Sequence, residues 1–284
     1  EATMAGSYAH PEVLVDTAWV YEHLSDPQVR LLEVDVDTSA YDEGHIPGAV
    51  GLHWKRDLET PVARDIASPE QIEGLLSVAG ITPASTVILF GDNNNWFATY
   101  AWWLLKYYGH ADARIMNGGR KKWMDEGRPM TKDVPAPKPT AYKTKAPDPS
   151  IRAVRDEVLA AGRAKSAALV DVRSPKEFSG ELLAPEALPQ EGAQRGGHVP
   201  GAANIPWGEN VQADGTFKPA DQLRALYEAR GITSDRDVIA YCRIGERSSI
   251  AWFALKYLLG YPRVKNYDGS WTEYGSLVGA PIER

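Results

Sequence analysis

The sequence predicts an α/β protein of two tandem domains, each a mostly parallel sheet flanked by helices. Three observations carry this: a repeated segment, an alternation of short strand signals with helical ones, and a proline-rich stretch near the middle. The repeat is His45-Ile46-Pro47-Gly48-Ala49-Val50, which returns as His198-Val199-Pro200-Gly201-Ala202-Ala203. A period of about 150 residues marks duplicated domains, because short-repeat solenoids recur at about 20–50. The chain length of 284 residues, about twice that of an ordinary single domain, agrees.

Each copy carries the same order of signals. An apolar strand precedes the repeat, Leu31-Leu32-Glu33-Val34-Asp35 in the first half and Ala168-Leu169-Val170-Asp171-Val172 in the second. A second strand follows it, Thr86 to Phe90 and Asp237 to Tyr241, and runs into a glycine-containing loop and an apolar helical segment. Short β-branched runs alternating with helical segments are the pattern of βα units and a parallel sheet. The helical segments, Ala101 to Tyr107 and Ala251 to Tyr257, are apolar on nearly every side, so each is expected to be covered on its flanks as well as by the sheet. Gly109 and Gly260 suit their C-terminal ends.

Residues 131–150 hold Pro135, Pro137, Pro139, Pro147 and Pro149, a spacing that forbids helix and favours an extended connector. The predicted division is therefore 8–130, a linker over 131–150, and 151–284. The first residues, Glu1 to Ser7, are unpatterned and expected to be frayed.

Composition narrows the function classes. Hydrophobic residues at 43% and charged residues at 24% suit a globular protein with a core in each half. A net charge of −7 argues against nucleic acid or an anionic membrane as the main partner. No apolar run reaches the length that crosses a bilayer, and no signal peptide precedes Ala9, so a cytoplasmic chain is expected. One cysteine rules out an intrachain disulfide and a cysteine-rich zinc site, and leaves a thiol with no resolving partner in the chain. The six histidines show no zinc-ligand spacing, and no motif for a metal, nucleotide or flavin is present, so no cofactor is expected.

That cysteine, Cys242, lies in Tyr241-Cys242-Arg243-Ile244-Gly245-Glu246-Arg247-Ser248-Ser249. It falls at the C-terminal end of a strand, where open α/β sheets place their ligands. A loop entering a helix N-terminus turns N–H groups inward and adds positive potential. Gly245 permits the tight turn, while Arg243 and Arg247 bring two permanent charges. The loop is therefore expected to favour thiolate. An ordinary thiol with a pKa of about 8.5 is about 3% ionised at pH 7, and a pKa near 6 would make it about 90% thiolate, worth about 3.4 kcal/mol.

Cys-Arg-Ile-Gly-Glu-Arg-Ser at residues 242–248 resembles the active loop of the rhodaneses, the thiosulfate sulfurtransferases. The two His-x-Pro-Gly-Ala segments, Asp171-Val172-Arg173 and Asn266 to Trp271 fit the same family, so the resemblance runs from about Val13 to Glu283 in both halves. It implies two rhodanese-like domains and a ping-pong transfer through a Cys242 persulfide, from thiosulfate to cyanide or another thiophilic acceptor. Such a reaction has a small-molecule donor and acceptor and follows thiol–disulfide exchange chemistry. Cys242 is then the catalytic residue. Arg247 is the first choice for binding the donor anion and Arg243 the second, unless Arg243 faces solvent or ties down the proline-rich connector. Ile244, Gly245, Glu246 and Ser248 complete the substrate loop, with Glu246 read as a solvated charge or one that weakens anion binding. Glu177 stands where some members carry a basic residue, which puts a second anion ligand in doubt; Lys176 or Arg173 could replace it, with Arg173 equally an ion-pair partner.

The first half has no thiol at the matching place. Aligned on strands, Gly91 stands opposite Cys242; aligned on helices, Asp92 does. This half resembles the catalytically silent half of tandem rhodaneses, and whether it adds to the site is open, as is the oligomeric state. His45 and His198 are read as loop caps. Trp102, Trp103 and Trp252 are read as core, with Trp207 and Trp271 core by default. Three rivals stand against this reading. A 3-mercaptopyruvate sulfurtransferase shares the fold and the persulfide, but its loop typically reads Cys-Gly-(Ser or Ala)-Gly-Val-Thr. A cysteine phosphatase needs five residues between Cys and Arg, where four separate Cys242 from Arg247. A non-enzymatic interaction module would not need Cys242 in a basic loop.

Overall fold

A computed structural model describes residues 7–188 and 192–284. The expectation for Glu1 to Ser7 thus lies, Ser7 apart, outside the described residues. The chain divides into two compact units. The N-terminal unit takes in Glu12–Asp148 with Ala213–Phe217; the C-terminal unit takes in Pro149–Gln212 and Lys218–Arg284, with the described residues up to Pro11.

Each unit is built on a five-stranded sheet, parallel throughout. In the N-terminal unit the strands are β1 (Leu14–Val15), β2 (Val29–Asp35), β3 (Val50–His53), β4 (Thr86–Phe90) and β5 (Ala113–Met116), in spatial order β1-β5-β4-β2-β3. In the C-terminal unit they are β6 (Arg152–Ala153), β7 (Ala168–Asp171), β8 (Ala203–Asn204), β9 (Val238–Tyr241) and β10 (Val264–Tyr267), in the order β6-β10-β9-β7-β8. The two orders are the same, as expected of a duplicated α/β domain. The central strands β4 and β9 are buried along almost their whole length, because helices cover both faces of a parallel sheet. On one face Ile88, Phe90, Ile46 and Trp123 form the N-terminal core, and Ile239, Tyr241, Val199 and Trp271 the C-terminal one.

The two apolar helices run longer than their apolar segments alone. The first spans Trp96–Tyr107 and buries every residue from Phe97 to Leu105. The second spans Glu246–Phe253, is buried throughout, and widens into a π-helical turn over Ala254–Leu258. Gly109 and Gly260 follow them at φ +80° and +76°, the left-handed conformation that ends a helix. Trp102, Trp103, Trp252 and Trp271 are fully buried, and Trp207 is half-buried. The His45 ring nitrogens lie 2.9 and 2.7 Å from the Tyr41 and Asp133 carbonyl oxygens, and His198 Nδ1 lies 2.7 Å from the Phe178 carbonyl oxygen, so both tie loops together.

The proline-rich segment has no helix or strand over residues 132–148. It is held on the N-terminal unit: Tyr142 is buried with its hydroxyl 2.6 Å from His110 Nδ1, and Lys145 N–H donates to the Tyr108 carbonyl at 3.0 Å. No helix among the described residues is long and apolar enough to cross a membrane.

Candidate active site

Strand β9 ends at Tyr241, and the next residue is Cys242. The loop then turns through Gly245, whose φ of +97° only glycine adopts without strain and whose missing Cβ would press on Asp268 Cα. Glu246 begins the helix. The turn aims the Gly245 N–H at Cys242 Sγ, 3.2 Å away. Ser248 Oγ bonds Asn266 Oδ1 at 2.6 Å, and Asn266 Nδ2 donates to the Gly245 carbonyl at 3.1 Å, which pins the loop to β10.

The cysteine's own N–H is satisfied by Ser270 Oγ at 3.1 Å, and that hydroxyl donates to the Tyr267 carbonyl at 2.6 Å. To reach both, Ser270 sits fully buried at φ +52°. A non-glycine residue held left-handed costs on the order of 1–3 kcal/mol and marks a place the surroundings over-determine. Sequence reasoning did not single out Ser270, and nothing in local composition announces this conformation.

The loop's charge is where the structure departs most from expectation. Arg243 and Arg247 do not form an open pair of cations. Arg243 Nε donates to Glu177 Oε2 at 2.6 Å, and Arg247 Nη1 and Nη2 donate to the two oxygens of the same carboxylate at 3.0 and 3.2 Å. All three side chains are buried. Burial alone would raise the Glu177 pKa, but the hydrogen bonds and charges of Arg247 and Arg243 hold it down to about 2. Glu177 is aimed by a capping box: Ser174 Oγ accepts its N–H at 3.3 Å, and its carboxylate returns to the Ser174 N–H at 3.4 Å. The Ser174-x-x-Glu177 spacing was the available signal.

Glu246 is also corrected. It is fully buried rather than solvated, with Oε2 3.8 Å from Cys242 Sγ and Oε1 3.5 Å from Arg247 Nε. Arg173 is an ion-pair partner, bonded to Asp171 at 3.0 and 2.6 Å and to the Gly197 carbonyl at 2.7 Å. Lys176 is exposed, 3.8 Å from Glu181. Around the loop the guanidiniums of Arg173, Arg243 and Arg247 thus face the carboxylates of Asp171, Glu177 and Glu246.

The expected lowering of the thiol is therefore overturned. Cys242 is fully buried, and burial, followed by the charge of Glu246, pushes its pKa up to about 11 against the pull of Arg247 and Ser248. Desolvation and the neighbouring Glu246 carboxylate outweigh the pull of Arg247, whose guanidinium shares the Glu177 carboxylate with Arg243.

The two halves align on strands. Arg120 N–H donates to the Gly91 carbonyl at 2.9 Å as Trp271 N–H does to the Cys242 carbonyl at 3.0 Å, so Gly91 is the counterpart of Cys242. A Cβ on Gly91 would overlap the Val34 carbonyl oxygen.

Two like-ordered parallel sheets, the second with a strand-end cysteine beneath a helix N-terminus, make a duplicated α/β arrangement whose family the comparisons identify. The rhodanese-like domain pattern matches residues 16–126 and 154–277, and the chain belongs to the rhodanese family. It is 59% identical over 280 residues to the sulfur carrier protein TtuD of Thermus thermophilus, covering 98% of each. It is 57% identical over 272 residues to a Saccharopolyspora erythraea protein provisionally named a thiosulfate sulfurtransferase, covering 96% of each. Among solved structures it is similar to SseA of Escherichia coli, described as a 3-mercaptopyruvate sulfotransferase, with a TM-score of 0.78 at 27% identity over 91% of this chain and 98% of that one. It is also similar to EanB in complex with ergothioneine linked covalently with a cysteine persulfide, with a TM-score of 0.85 at 28% identity over 97% of this chain and 71% of that one.

Proposed function

We propose that this protein takes a sulfane sulfur from thiosulfate onto Cys242 as a persulfide and passes it to cyanide or another thiophilic acceptor. The observation that carries this reading is the aim of the loop: Cys242 Sγ at the end of β9 receives the Gly245 N–H at 3.2 Å, beneath the N-terminus of the Glu246–Phe253 helix. An amide so placed stabilises charge on Sγ, or on a sulfur bonded to it, without moving. In this reading Cys242 is the nucleophile. Arg247 and then Arg243 hold the donor anion, with Ile244, Gly245, Glu246 and Ser248 shaping the loop. The sulfur is fully buried, so a donor reaches it only when the side chains over it shift. The division into a silent domain over 8–130, a linker over 131–150 and a catalytic domain over 151–284 belongs to the same proposal. The sulfur-carrier name of the Thermus relative supports counting a protein thiol among the acceptors.

One observation favours a second reading. Glu177 already occupies both loop arginines, which weakens their advantage for a dianion over a monocarboxylate such as 3-mercaptopyruvate. The deciding measurement is kcat/KM for the two donors with cyanide as common acceptor, at fixed ionic strength. Thiosulfate is expected to be preferred by at least about tenfold, or about 1.4 kcal/mol in the transition state. A higher value for mercaptopyruvate reverses the donor assignment.

A further inference from the structure

We infer that Glu246 is the proton acceptor for the Cys242 thiol, taking the proton from Sγ as sulfur is loaded and returning it when sulfur leaves. This rests on the reading of Cys242 as the sulfur carrier.

The geometry is that of a proton-sharing pair. Sγ–H donates toward Glu246 Oε2 at 3.8 Å, and both side chains are fully buried. Of the charged groups facing this pair, Arg247 lies on the same helix, 3.5 Å from Oε1, while Arg243, next to Cys242 in the loop, turns to Glu177. Glu177 comes from the Pro175–Ser179 helix and is engaged with both arginines. Glu246 Oε1 accepts no hydrogen bond among the described residues. A carboxylate this poorly solvated is a stronger base than one in water, and burial raises the Glu246 pKa although Arg247 opposes it.

The thiol needs such a base. With its pKa pushed up to about 11, only about one molecule in 10⁴ carries a free thiolate at pH 7. Removing the proton during attack avoids waiting for that population. In the loading step the Sγ–H bond breaks and an Oε2–H bond forms. Sγ bonds the outer sulfur of thiosulfate, and the electron pair of the broken S–S bond departs with sulfite. The products are the persulfide anion and neutral Glu246, with total charge unchanged. On discharge, cyanide takes the outer sulfur as thiocyanate, and the Cys242 thiolate recovers its proton from Glu246. No oxidant or reductant enters either step.

The test is single-turnover sulfur loading from thiosulfate across pH, alongside alkylation of Cys242 across the same range. Glu246→Gln is expected to slow loading at pH 7 by about 10²–10⁴-fold. The deficit should shrink as pH rises toward the thiol's own titration. Alkylation at pH 7 should slow as well, because attack on the alkylating agent needs the same proton removed from Sγ. Glu246→Asp, which keeps a base with shorter reach, should recover part of the rate. A purely structural or electrostatic role predicts the opposite: loading in Glu246→Gln as fast as wild type or faster at pH 7, or a deficit independent of pH, and either result overturns the proposal. Should Glu246→Gln not fold, the solvent deuterium effect on wild-type loading decides. A normal effect is expected below the thiol pKa, and its absence removes the proton step. Wild type that never gains sulfur on Cys242 refutes the carrier reading instead, so the two failures are told apart.

Discussion

At Gly91 and Cys242 the same sheet, in the same strand order, ends in two different ways. Past Gly91 the chain makes three consecutive left-handed residues, Asn93, Asn94 and Asn95, at φ +47°, +54° and +66°. Asn95 Oδ1 accepts the Gly91 N–H at 2.9 Å, and Asp92 accepts the N–H groups of Val36 and Asp37 at 2.6 and 3.0 Å. Side chains thereby fill the place where amides would otherwise face an anion. Past Cys242 only Gly245 is left-handed, and the amide it releases points at sulfur. The buried charges differ too. In the first half Arg120 pairs with Glu33 at 2.9 Å, and burial, followed by the hydrogen bond to Glu33, raises Asp35 to about 9. In the second, Asp171 is paired with Arg173, and Glu177 is shared by two loop arginines. The lesson is that this strand end accepts a side chain only where the backbone leaves clearance for a Cβ, and turns an amide toward it only where no neighbouring side chain has claimed the turn.

The comparison is broken most severely by removing the thiol. Cys242→Ser should abolish thiocyanate formation while the fold survives; activity kept within about tenfold of wild type, under about 1.4 kcal/mol of barrier, contradicts the assignment. Next comes the carboxylate that balances the loop. Glu177→Gln removes the charge of the carboxylate shared by two buried guanidiniums and should cost about 3–5 kcal/mol in urea unfolding at neutral pH. Because the folded pKa of Glu177, about 2, lies below its ordinary value, its contribution is present above about pH 4.5 and is lost as pH falls through about 2. The variant should lack that part of the acid limb, and identical limbs would show that the clamp adds nothing.

Giving the first half a thiol sharpens the contrast. Gly91→Cys should destabilise the protein by about 3 kcal/mol, since a Cβ there requires the β2 backbone to move, and should bind no second sulfur. A stable variant loaded with two sulfurs would show that clearance at Gly91 does not keep a thiol there from taking up sulfur. The smallest effect is expected at the anion contact. Arg247→Ala should raise the KM for thiosulfate about 10–150-fold, far more than that for cyanide, and Arg247→Lys should recover part of it. Unchanged thiosulfate kinetics would shift the anion contact to Arg243 or the loop amides.

Much of this was legible in the residues themselves. The repeat, the strand runs at Thr86 to Phe90 and Asp237 to Tyr241, and the apolar helices that follow them gave both the duplication and the sheet, because buried parallel strands and two-sided helices leave strong local signals. Cys242 was legible for the same reason: strand, glycine turn and helix are contiguous. The loop's electrostatics were not. Glu177 lies 66 residues from Arg243 in sequence, so the two loop arginines are engaged by a carboxylate that only the fold brings near. Burial of Cys242 and, after it, the charge of the buried Glu246 turn the thiol's pKa upward, and both are equally tertiary properties. The choice between Gly91 and Asp92 as counterpart of Cys242 needed the backbone hydrogen bonds to Arg120 and Trp271, which no local pattern supplies.

The most direct test is intact-mass and peptide mapping after exposure to thiosulfate. Wild-type protein should gain one sulfur, localised to the peptide carrying Cys242 and removed by cyanide with release of thiocyanate, and Cys242→Ser should gain none. A wild-type chain that stays unmodified, or a sulfur that the serine variant still acquires, would contradict the account.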